Sequence, residues 1–209
     1  MPSHRRTVGG RVLAIVAAIL VVKVVASIVS RYPGYFPPDF TTDFLFGREA
    51  HFRGGYRWAF YTHILSGPVA LMLGLFLVAE WPRRQFPAWH RWIGRLEVAC
   101  VLGLVAPSGL WMARNAAAGP VAGLGLAALA VATAICAAMG WIDAVRWRYS
   151  SHRRWMWRCF LLLASAVVLR MIGGLATVTG WTADWLDPLA TWACWVVPLF
   201  AFEVRERIS

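Results

Sequence analysis

Charge is scarce in this sequence of 209 residues: only 15% are Asp, Glu, Lys or Arg, against about 25% in an average soluble domain. Lysine is nearly missing, because Lys23 is the only one among the 21 basic residues. Carboxylates number 10 and sit mostly at the edges of apolar blocks, which argues against catalysis built on a metal alone. The four cysteines, Cys100, Cys136, Cys159 and Cys194, have no CxxC or CxxCH spacing, so neither a metal knuckle nor covalent haem attachment is expected. Each lies in or beside an apolar block, where a free cysteine serves as a small packing residue. The His-Glu-x-x-His, Gly-x-Ser-x-Gly, Walker and dinucleotide fingerprints are all missing. The net charge of +11 comes with no zinc-finger, RNA-binding or helix-turn-helix pattern, so nucleic acid is not an expected partner.

What is present is apolar. The set AVILMFWYC makes up 59% of the chain, and the mean hydropathy is +0.57. The excess falls in blocks of about 20 residues, the length that crosses a hydrocarbon core as a helix. The pattern predicts an all-α polytopic transmembrane bundle, a single integral membrane domain over 1–209 with six helices. These are expected at about 12–30, 58–81, 93–113, 119–141, 158–178 and 188–202. The basic residues Arg5, Arg6 and Arg11 before the first block resemble a signal peptide, but the block is longer than a signal h-region and no A-x-A site follows. It reads as an uncleaved helix. Pro82 is expected to stop the second helix. An aromatic-rich loop at 31–57, with Tyr32, Tyr35, Phe36, Phe40, Phe44 and Phe46, is expected to cover the bundle or lie on the membrane interface. A short helix is expected near 41–50. Close packing is expected at Gly119-x-x-x-Gly123, Ala128, Ala132 and Gly173–Gly174.

Topology follows from arginine placement. The N-terminus, the links 82–95 and 143–158 and the C-terminal tail carry most of the positive charge. The positive-inside rule then puts both termini in the cytoplasm, and the span pattern suits a bacterial plasma (inner) membrane.

Polar residues at membrane depth are the candidate functional ones, since lipid penalises them. Arg170 lies deep in the fifth block, either snorkelling or facing a buried anion. Lys23 lies at a similar depth in the first. His63, in the second, is near Arg170 in depth, and the pair suits an anionic headgroup or a cofactor carboxylate. A second cluster precedes helices 3 and 5. His90-Arg91-Trp92-Ile93-Gly94-Arg95-Leu96-Glu97 puts His90 and Glu97 two turns apart on one face. Ser151-His152-Arg153-Arg154-Trp155-Met156-Trp157-Arg158 echoes it, and both helix starts favour anions such as lipid headgroups. His90, His152 and His63 are the candidate ligands for a non-covalent haem b, with His90 and His152 at matching depth.

The succession His63…Gly67, Gly74, His90-Arg91-Trp92-Ile93-Gly94-Arg95, Gly119, His152-Arg153-Arg154-Trp155-Met156-Trp157-Arg158 and Arg170 resembles the DUF2306 family of bacterial multi-pass membrane proteins, over about residues 58–178. The resemblance implies that His63, His90, His152, Arg158 and Arg170 belong to a shared site or scaffold, and it implies no reaction. Three functions are consistent with these residues. The leading one is a binding or accessory subunit of a membrane complex, with membrane lipids and other membrane-protein subunits as partners. The others are a haem- or quinone-linked redox protein and a small transporter for anions or lipid headgroups.

Overall fold

In a computed structural model that describes residues 8–41 and 43–208, each apolar block is a helix. Helix α1 covers Val8–Ser30, α2 Gly54–Val78, α3 Glu80–Gln85, α4 Pro87–Cys100, α5 Ala106–Ala113, α6 Gly119–Val145, α7 Tyr149–Thr179 and α8 Leu186–Ile208. No strand occurs among the described residues. Arg5 and Arg6 lie outside them.

Five helical stretches are long and apolar enough to cross a membrane: Val12–Gly34, Gly54–Val78, Pro87–Ala113, Gly119–Val145 and Tyr149–Thr179. Helix α8 has 23 residues, but charge at both ends, Asp187 and Glu203 through Arg207, keeps its apolar section short. It nevertheless runs the height of the bundle. Trp192 donates to the Val121 carbonyl near the start of α6, and Glu203 meets Arg158 in the third turn of α7.

Four units form a square: α2, the α4–α5 rod, α6 and α7. Each packs on its two neighbours, which leaves α4 and α7 on one diagonal. Small residues allow the helices to close on a shared core of Ala70, Cys100, Val101, Cys136, Ala137, Cys159 and Leu162. Helix α8 covers the α6–α7 side, and α1 leans on α2 and α7, where its Val21 is buried with Leu71 and Val167 and is flanked by Leu20, Val24 and Val25.

Helix boundaries depart from the apolar blocks where arginine and proline stand. Helix α4 begins at Pro87, not near Ile93, because proline is well suited to the first helical position. Helix α7 begins at Tyr149, not Arg158, because arginine is a good helix former whatever its hydropathy. Pro82 does not stop α2. The chain turns at Ala79, whose ψ is 138°, and Pro82 sits in the first turn of α3, where its missing N–H costs nothing.

The α4–α5 rod holds a π-helical stretch at Val101–Val105, in which the Ala106 N–H donates to the Val101 carbonyl five residues back. Pro107 accounts for it: the ring removes one donor and crowds the carbonyl four residues earlier, and a widened turn relieves both.

The loop after α1 folds into a cap. Tyr35, Leu45, Phe52, Tyr56 and Phe60 form its buried core. In place of the helix expected near 41–50 are two short 3-10 turns, Asp43–Leu45 and Glu49–His51. Gly47 between them has φ +69°, which interrupts any helix. The cap is pinned to α2 through a proline gap. Pro68 lies inside α2 and leaves the Ile64 carbonyl without its helical donor, and the Tyr32 hydroxyl donates to that carbonyl instead. Tyr61 in turn donates to the Tyr35 carbonyl at 2.9 Å.

The glycine expectations divide. A Cβ on Gly123 would lie 2.7 Å from the Ala113 carbonyl oxygen, so this position is a true close approach. Gly119 serves the turn before α6 with φ +83°. Gly173 and Gly174 face open space, which corrects their expected packing role.

Candidate functional site

Polar side chains collect at two levels of the bundle, one beneath the cap and one toward the arginine-rich end. At the cap level, His63 of α2 points at the π stretch. Its Nδ1 is 3.1 Å from Ser108 Oγ and 3.3 Å from the Val105 carbonyl oxygen. Ser108 Oγ is 2.5 Å from the Leu104 carbonyl oxygen, so its single proton goes to a carbonyl and its lone pair accepts from the imidazole. That pattern puts the His63 proton on Nδ1 and leaves Nε2 as an acceptor. Room for the ring comes from Gly109, where a Cβ would stand 3.1 Å from His63 Cε1.

Arg170 of α7 lies within electrostatic reach of His63 and is exposed at the surface of the bundle. It donates back to the Ala166 carbonyl at 3.2 Å, and among the described residues it meets no carboxylate. Lys23 stands apart from this group on α1, with its side chain exposed.

The second level lies between α2, α4 and α7. Glu97 of α4 is 1% exposed, and its Oε2 has no hydrogen-bond partner. Its other oxygen packs where α2 has no side chain: a Cβ on Gly74 would be 3.2 Å from Oε1 and 3.1 Å from Phe160. Cys100 on its own helix and Cys159 on α7 lie within electrostatic reach of the carboxyl. Two turns toward the arginine-rich end, the buried Nδ1 of His90 is also without a partner. His90 lies within electrostatic reach of His152 across the diagonal. His152 Nδ1 donates to the Gly140 carbonyl at 2.8 Å, which fixes its tautomer and leaves Nε2 available. A third unpartnered buried polar atom, the Trp195 Nε1 donor on α8, lies at the edge of the same core.

Arg158 is committed elsewhere. Its Nε and Nη2 hold the two Glu203 oxygens at 2.5 and 3.0 Å, in the forked geometry arginine favours with carboxylates. Its guanidinium also lies over Trp155, 4.6 Å from the ring centre. It is therefore a clamp between α7 and α8, and its sequence position at an anion-favouring helix start does not leave it free for an external anion. Arg154 and Glu206 run parallel at 3.8 Å.

Gly74, Glu203 and Trp195 were not singled out by sequence. Gly74 was visible only as one glycine of a motif, and the other two gain meaning only through contacts across helices.

His90 and His152 lie on diagonal helices at one end, the arrangement axial haem ligation uses. Beneath them the bundle is closed by Cys100, Val101, Cys159 and Leu162, each at most 8% exposed. Two hollows lie elsewhere. One, of about 830 Å³, is bounded by the α7–α8 turn around Asp184 and Asp187, and the other, of about 310 Å³, is an aromatic cleft of Phe76, Trp81, Phe86 and Trp89. The histidines thus supply ligands without a slot for a macrocycle. Among the described residues no trio of His, Cys, Asp or Glu is placed to hold a metal ion.

A square bundle of long apolar helices with buried polar side chains is the architecture of a polytopic helical membrane protein. The family model described as "Predicted membrane protein (DUF2306)" matches residues 60–204, and the chain belongs to that family. The match reaches past the sequence motifs to include α8. No curated protein and no solved structure matches the chain.

Proposed function

We propose that the protein is a proton-handling binding subunit of a membrane complex, with Glu97 as its intramembrane acid. The observation that carries this reading is the Glu97 carboxyl itself: 1% exposed, facing core, with one oxygen unpartnered. A lone carboxylate at membrane depth is expensive, whereas the neutral acid is tolerated. Such a group works by exchanging a proton or by meeting a cationic or hydrogen-bonding ligand. His90 is about 10 Å away along α4, and together with His152 it supplies the stepping stones to the nearer end of the bundle. In this reading the arginine-rich end faces the cytoplasm of a bacterial inner membrane, with both termini there, as the positive-inside rule requires.

Infrared difference spectroscopy of the protein in lipid nanodiscs, titrated with pH, tests the assignment. Wild type is expected to show one carboxyl signal that Glu97→Gln removes, and His90→Ala is expected to slow its exchange with deuterium. Overlapping spectra for wild type and Glu97→Gln throughout the titration would sink the reading.

A further inference from the structure

We propose that α1 is a docking helix whose partner is a transmembrane helix of a different protein, carrying a carboxylate at the depth of Lys23. The inference is independent of the proton-handling reading.

Lys23 lies deep in α1, eleven residues after the start of the apolar span at Val12 and seven before the helix ends at Ser30. That is about 16 Å from one end and about 10 Å from the other, both longer than the lysine stem, so snorkelling does not carry the ammonium all the way to the headgroups. The side chain is exposed and points away from the bundle. Val21, the only buried residue among the described side chains of α1, is two positions earlier and so lies on nearly the opposite face. Among the described residues no carboxylate pairs with Lys23. Ala26, Ser27 and Ser30 follow it at helical spacing and are also exposed, and small residues of this kind let a second helix approach closely. Helix α1 therefore presents lipid with a charge it cannot hide and with room for a neighbour beside it.

Charge complementarity decides what the neighbour carries. An ammonium at mid-membrane depth is matched by an Asp or Glu on the facing helix. A second copy of this chain does not provide one. Glu97 is enclosed in the core, and the other carboxylates lie in the cap, the links or the helix ends. Two copies meeting through α1 would set Lys23 against Lys23.

The full chain, labelled with a fluorescent donor in phosphatidylcholine vesicles, is titrated with acceptor-labelled leucine-rich transmembrane peptides bearing Glu or Leu at the centre. The Glu peptide is expected to associate about tenfold more tightly than the Leu peptide, the scale of an intramembrane polar contact. Lys23→Leu is expected to erase that preference and Lys23→Arg to keep it, with circular dichroism unchanged because the side chain is exposed. Equal association of the two peptides overturns the proposal, as does a preference that survives Lys23→Leu. Self-association of the chain without peptide, lost in Lys23→Leu, overturns it too, by identifying a second copy as the occupant.

Discussion

At the scale of single residues, the bundle is decided by places where a side chain is missing. Gly74 leaves space for the Glu97 carboxyl, Gly109 for the His63 ring, and Gly123 for the Ala113 carbonyl. The three differ in what must yield. At Gly123 the obstacle is backbone at 2.7 Å, which cannot rotate aside. Gly123→Ala is therefore expected to lower thermal stability in detergent by about 1–3 kcal/mol, the usual range for overpacking, whereas Gly173→Ala, facing open space, is expected to leave the melting curve in place. Similar shifts for both variants in differential scanning fluorimetry would contradict the close approach. His63 was visible in the sequence as a polar residue inside an apolar block, and Glu97 as part of the polar cluster leading into the third block. Their different situations, one unpartnered and the other held by Ser108 and Val105, were not, because hydrogen-bond partners come from other helices.

At the scale of elements, prolines and ion pairs set how helices end and join. Pro68 opens a carbonyl that the cap uses, and Pro107 widens the turn that receives His63. The Arg158–Glu203 fork fastens α8 to α7 just beyond the apolar section of α8. Hydrogen bonds from Arg158 hold the Glu203 carboxyl below its ordinary range, with burial opposing the effect. The sign follows from linkage. A group whose folded-state pKa is depressed contributes stability above its unfolded pKa and loses it as pH falls through the lower, folded value. Unfolding midpoints are thus expected to fall on acidification below the ordinary glutamate range, and Glu203→Gln is expected to flatten that acid limb while lowering stability at neutral pH. An acid limb of unchanged steepness in Glu203→Gln would show that other carboxyls govern it.

At the scale of the whole molecule, the square of helices is packed tightly enough to leave the histidines without a macrocycle slot. A visible absorption spectrum of the protein purified in mild detergent, before and after dithionite, is expected to be flat. A Soret band that sharpens on reduction and disappears in His90→Ala or His152→Ala would establish the redox alternative and displace Glu97 from the centre of the account.

The sequence by itself determined the membrane class, the helical character and the approximate span positions, because these depend on apolar length and on each segment satisfying its own backbone. It also located the polar residues that lipid penalises, and the family to which the chain belongs. Where helices begin was beyond hydropathy: arginines at the start of α7 are helical and polar together. Only the tertiary structure decided that α4 and α7 are diagonal, that Arg158 is taken by Glu203, that one oxygen of Glu97 has no partner and that Lys23 faces outward. Each of these depends on which helix stands beside which, and that is fixed by packing between segments far apart in the chain.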